Sequence, residues 1–125
     1  MRIGLMELAQ RRLAWTEQRQ AVLARNVANA STPAFQARDI QSFPDALRDT
    51  AATPARTQPA HLAPRDTTGG FAVRPVRPRA RAPDGNSVAL DDQLSRLADT
   101  ESAQALTSSI FKKYMGLFAM ALGKA

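Results

Sequence analysis

The sequence predicts a mostly α protein. A long N-terminal helix and a long C-terminal helix pair as a coiled coil, and an irregular Pro- and Arg-rich segment joins them. Three observations carry this prediction. Residues 5 to 30 contain neither proline nor glycine and place apolar side chains at helical spacing. A second helical pattern runs from Val88 to about Leu122. Between them, residues 51 to 84 hold six of the eight prolines and the Gly69–Gly70 pair. A segment of that length without periodicity is uncommon inside a compact domain, so it reads as a linker or a loop ordered by a partner. The expected division is 1–32 for the first core helix, 33–86 for the connecting segment and 87–125 for the second core helix. Two helices with no third layer bury little surface, so folding is expected to accompany assembly.

In the first helix, Leu8, Trp15 and Val22 recur every seven residues, and Asn29 continues the series. Leu5 and Met6 widen the stripe at its start, Leu23 and Val27 at its end. The helix would be about 40 Å long. Pro33 disfavours α geometry at Thr32, which places the stop near Ala30 or Ser31. Asn26 and Asn29 lie one turn apart just before that stop. Because Asn29 sits where an apolar seam residue is expected, the two amides are predicted to bond across a helix–helix seam and fix its register.

The connecting segment contributes Phe35, Ile40, Phe43 and Leu47, which can lie against the helices. Residues 44 to 48 can form one helical turn, and Phe71, Val73 and Val76 a short strand. Asp84-Gly-Asn-Ser is a turn in which Asn86 or Ser87 is expected to cap the second helix. That helix carries Leu90, Leu97, Phe111 and Phe118 in one heptad series and Leu94, Met115 and Leu122 in the companion series. Glu101, Gln104 and Ser108 make the middle of the seam polar. Asp91, Asp92 and Asp99 precede Lys112, Lys113 and Lys124, an order that complements the helix dipole.

Enzyme chemistry has little to stand on. There is no cysteine, and the one histidine, His61, lies in a proline-rich stretch. Asp91 and Asp92 are adjacent on a helix and do not face one another. No catalytic residue, metal or cofactor is expected. The net charge is +6, and Arg74, Arg77, Arg79 and Arg81 are concentrated in one tract. Nucleic acid would be the partner for such a tract only with aromatic residues interleaved for stacking, and these are missing. No apolar run reaches the roughly 20 residues needed to span a bilayer. Glu7, Arg11 and Arg12 interrupt any secretory h-region, so export without a cleaved signal is expected.

The stretch Asn26-Val-Ala-Asn29-Ala-Ser-Thr-Pro33-Ala-Phe35-Gln-Ala-Arg-Asp39 resembles the Asn-x-x-Asn-x-x-Thr-Pro-Gly-Tyr/Phe signature of flagellar rod and hook proteins. The Ala37-Arg38-Asp39 continuation and Phe43 are similar to the proximal rod family, FlgB. So are Gln20-Ala-Val-Leu-Ala and the run Asp84-Gly85-Asn86-Ser-Val88-x-Leu90-Asp91, leading to Lys112-Lys113-Tyr114. The resemblance covers both ends, about two-thirds of the chain. It implies a structural rod subunit that transmits torque and continues the export channel. It implies as partners other rod proteins, copies of itself, the adaptor FliE and the flagellar type III export apparatus, in the periplasmic part of the basal body. The subunit interface it implies comprises Leu8, Trp15, Val22, Asn26, Asn29, Thr32, Pro33, Phe35, Leu90, Leu94, Leu97, Phe111, Met115, Phe118 and Leu122. Another short rod subunit, and a basic nucleic-acid-binding regulator, are the alternatives. Ala34 stands where the family usually has glycine. A left-handed alanine costs about 1 kcal/mol, so a type I-like turn or an extended exit is expected there.

Overall fold

The computed structural model describes residues 4–51 and 70–123. Helix α1 spans Leu5–Ala28, strand β1 Arg38–Ile40, helix α2 Phe43–Ala51, strand β2 Val73–Pro75 and helix α3 Leu90–Ala121. The two long helices end within about two residues of the expected limits. The single turn expected at residues 44 to 48 extends to a helix of nine residues. The short strand near Val73 forms and finds its partner in β1, antiparallel, with Arg38 opposite Pro75, Asp39 opposite Arg74 and Ile40 opposite Val73. Proline is tolerated because each strand of a two-stranded sheet is an edge. His61 and residues 52–69 lie outside the described residues.

The helices run antiparallel, with the end of α1 beside the start of α3, where Asn26 meets Gln93. Two buried lines run along α1, one residue apart. Trp15 packs with Ile40, Ala46 and Phe71, and Val22, Phe43 and Val73 close around them. The Trp15 and Phe43 rings meet edge-on at 6.1 Å, and the indole Nε1 donates to the Gln41 carbonyl at 2.9 Å. The Arg12 guanidinium lies 4.5 Å from the Trp15 ring centre and 4.8 Å from that of Phe43. Burial, and secondarily the charge of Arg19, lower the Arg12 pKa below its usual value. At neutral pH the group still carries its charge, and the cation–π contact persists.

The second line is Ala9, Thr16, Leu23 and Asn26, all buried, and it faces α3. From α3 it meets Gln93 and Thr100, which are 2% and 1% exposed. The heptad count expected Leu8, Trp15 and Val22 on this seam. In the fold, Trp15 and Val22 face the β1–β2 hairpin-like sheet, called the hairpin below, and α2 instead. The physical reason is size. The connecting segment supplies a third layer with its own aromatic residues, and the indole buries more apolar area against Phe43 and Phe71 than a closely spaced helix pair can accept. Apart from Leu23, the helix–helix seam is left to small and polar side chains. The C-terminal heptad positions are covered only in part. Leu97 and Phe111 are half-buried, whereas Leu90, Leu94, Met115, Phe118 and Leu122 are exposed.

Candidate assembly interface

The exit from α1 is built by three asparagines. Asn26 is 1% exposed. Its amide donates to the Arg38 carbonyl at 2.6 Å and to Gln93 Oε1 at 2.8 Å, and its carbonyl oxygen accepts from Arg38 N–H at 3.0 Å. One side chain thus ties α1, β1 and α3 together, with both backbone groups of Arg38 satisfied. The expectation of a register amide across the seam holds for Asn26. It fails for Asn29, which ends its own helix: its amide donates to the Arg25 carbonyl at 2.8 Å, and its side-chain oxygen accepts from Thr32 Oγ1 at 3.0 Å. The last carbonyls of a helix need donors, and the C-terminal amide is the nearest one.

Asn86 completes that end from the other side of the molecule. Its amide donates to the Asn29 carbonyl at 3.0 Å and the Thr32 carbonyl at 2.6 Å, while its oxygen accepts from Val88 N–H at 2.8 Å. It therefore does not cap α3. That helix starts at Leu90 after Ala89 and has no side-chain cap bond; Ser87 instead bonds Ala37 N–H and the Phe35 carbonyl. Pro33 is exposed and Phe35 half-buried at this exit.

Ala34 adopts φ 58°. The type I-like or extended exit expected from its side chain is not what forms. Its N–H donates to the Asp84 carbonyl at 3.0 Å, in the turn where Gly85 also has positive φ, 82°. Closing the two loops on each other demands the left-handed geometry and overrides alanine's preference. Ala34→Gly is expected to stabilise the fold by up to about 1 kcal/mol, the relieved strain less glycine's greater unfolded-state entropy. The check is a urea titration in which the midpoint rises at unchanged slope.

Asp39 sits at the centre of the charged contacts. Arg19 binds it in a two-pronged contact, Nε to Oδ1 at 3.0 Å and Nη2 to Oδ2 at 2.9 Å. Arg96 of α3 donates to the same Oδ2 at 2.9 Å and to Asp92 at 3.0 Å. The Asp39 side chain is 13% exposed, so this is a partly shielded network joining α1, β1 and α3 rather than a surface ion pair.

Gln93, Thr100 and Asn86 were not among the residues expected at an interface, yet they hold the two halves together. They stand seven apart in the chain. A heptad count that scores polar side chains at close-packed positions would have found them; one that scores only apolar residues passes over them.

Much of α3 has no cover. Leu90, Leu94, Leu106, Ile110, Met115, Leu117, Phe118, Met120 and Leu122 are 46–63% exposed. Counting back from the Asn26–Gln93 contact, the start of α1 falls level with about Tyr114, at 1.5 Å per residue in both helices. The last turns of α3, with Leu117, Phe118, Met120 and Leu122, therefore project beyond α1. Among the described residues, no three His, Cys, Asp or Glu side chains gather as metal ligands, and no helix is long and apolar enough to cross a membrane.

The paired helices thus leave large apolar side chains of α3 uncovered. Residues 6–36 match the family described as flagella basal body rod protein. The chain is 35% identical over 123 residues to the flagellar basal body rod protein FlgB of Agrobacterium fabrum, covering 94% of this chain and 92% of that one. It is 39% identical over 93 residues to FlgB of Escherichia coli and to that of Shigella flexneri, covering 66% of each chain. This is a structural subunit of the flagellar basal body rod. Within that class, the chain belongs to the FlgB family.

Proposed function

We propose that this subunit occupies the proximal rod and assembles by burying the outer face of α3 against copies of itself and other rod proteins. The observation that carries the proposal is that nine large apolar side chains around α3 are left about half exposed. Monomeric proteins seldom leave so much apolar surface of one helix uncovered. Covering it would contribute on the order of 10 kcal/mol before ordering costs, enough to draw a marginal two-helix unit into an array. Leu90, Leu94, Met115, Phe118 and Leu122 make the contact directly. Trp15, Val22 and Asn26 act from inside by holding the hairpin that presents α3, and Thr32, Pro33 and Phe35 by directing the connecting segment outward.

In this reading the work is mechanical, with no catalysis and no cofactor. The packed helices line the export channel and carry torque, FliE joins the subunit to the membrane ring, and the chain reaches the periplasm through the type III apparatus without a cleaved signal. Leu117→Asp combined with Phe118→Asp places two charges on the projecting end of α3 without touching an internal contact. The expected result is a helical, more soluble chain that is at least tenfold depleted from purified basal bodies, with loss of swimming. Wild-type incorporation of this variant would overturn the proposal.

A further inference from the structure

Residues 76–82 form a strap fastened at both ends. Val76 N–H donates to the Ala37 carbonyl at 2.9 Å and Ala82 N–H to the Asn86 carbonyl at 2.8 Å. Pro75, Pro78 and Pro83 restrict its backbone. Arg77, Arg79 and Arg81 are exposed and make no ion pair or hydrogen bond with any described residue. Beside the strap runs a mainly apolar groove of about 340 Å³, walled by Ala37, Val76, Pro78, Val88 and Ala89. On an adjoining side of α3 lies its counterpart. At about 100° per residue, Leu90, Asp91, Leu94 and Glu101 fall within about 100° of one another, beside the face that carries buried Gln93 and Thr100. Leu90 and Leu94 are half exposed, and the Asp91 and Glu101 carboxylates are likewise without an ion pair among the described residues.

We infer that the strap of one copy seats on the Leu90–Glu101 strip of the next. This rests on the assembly reading above and names its mating surfaces. Leu90 and Leu94 enter the groove, and Asp91 and Glu101 meet the strap arginines. The dimensions agree: the two carboxylates are about 15 Å apart along the helix, and Arg77 to Arg81 spans up to about 13 Å of extended chain. Arginine's planar fork suits carboxylates. A bilayer is the poorer occupant, because the strap carries no tryptophan, phenylalanine or leucine to insert beside its charges. Strap and strip lie at the same end of the molecule on different sides of α3. The inferred contact is side by side and heterologous, so that it propagates into an array instead of closing as a two-fold dimer.

The absence of cysteine makes the full-length chain testable by cross-linking in the cell. Arg79→Cys and Glu101→Cys are introduced together and basal bodies are purified after mild oxidation. A ladder of covalent multimers is expected. Basal bodies that contain the chain only as monomer would overturn this inference and leave the assembly reading intact, whereas absence of the unsubstituted chain from basal bodies would overturn both. In a second series, cysteines at Arg74 and Ala98 report the contact while the charges are changed. Reversal at Arg77, Arg79 and Arg81 to Glu is expected to lower the adduct about tenfold, and Asp91→Arg with Glu101→Arg to restore it to within about twofold. No restoration, adducts only to a different protein, or loss of binding to anionic phospholipid vesicles without any change in adduct would each overturn the pairing.

Discussion

Asn26→Leu is expected to lower the stability of the folded chain by about 3 kcal/mol or more, although leucine has the same branched heavy-atom skeleton as asparagine and is the better helix former. The loss comes from what the amide leaves behind. The Arg38 N–H, the Arg38 carbonyl and Gln93 Oε1 all bond Asn26, and Asn26 and Gln93 are almost fully buried. Each buried polar group left without a partner costs about 1–3 kcal/mol. Against the few kcal/mol available to a small domain, this is enough to detach β1 from α1. The measurement is thermal unfolding by circular dichroism in a sucrose-containing buffer, with a midpoint about 10 °C lower expected. Asn29→Leu serves as the comparison. Asn29 bonds at the partly exposed helix end, where water can replace its contacts, so about 1 kcal/mol is expected. Equal losses for the two variants would contradict the assignment of register to Asn26.

Trp15→Ala is expected to cost about 3–5 kcal/mol, the largest effect of any single truncation in the chain. The indole is 5% exposed, contacts Ile40, Ala46 and Phe71, meets Phe43 edge-on and donates to the Gln41 carbonyl. Its removal empties the centre of the three-layer core and leaves Arg12 without the ring it covers. The expected outcome is selective. The β-hairpin and α2 lose protection from hydrogen exchange, while α1 and α3, joined through Leu23, Thr16 and Thr100, exchange more slowly. Uniform loss of protection would show that the hairpin and the helix pair unfold as one unit.

Much of the candidate site was legible in the sequence, and the parts that were not share a cause. Periodicity located α1 and α3, and proline placement located the irregular segment. The asparagine-rich exit stood out because polar residues interrupted an apolar series. Counting apolar residues then gave the wrong seam, since Trp15 and Val22 obey helical spacing equally well whether they face another helix or a hairpin. In the true seam Leu23 is the one large apolar side chain, and Thr16, Asn26, Gln93 and Thr100 give it little hydrophobic signature. Asp39 was visible as part of a motif, but nothing in its neighbours along the chain indicates Arg19 and Arg96 as partners, because those contacts span 20 and 57 residues. The left-handed Ala34 contradicts local preference and is imposed by a turn 50 residues later.

The sequence by itself determined the two long helices, the point where the first one stops, and the resemblance to axial flagellar proteins. These depend on local backbone preferences and on apolar spacing, which are written residue by residue. Only the tertiary structure decided which stripe of each helix is used inside the chain and which is left for neighbours. That choice turns on which surfaces bury the most area together, and an indole, a β-hairpin and a nine-residue helix outcompeted α3 for the larger stripe of α1. The leucines, methionines and phenylalanine of α3 stay exposed because α1 covers α3 along one side only and stops short of its last turns.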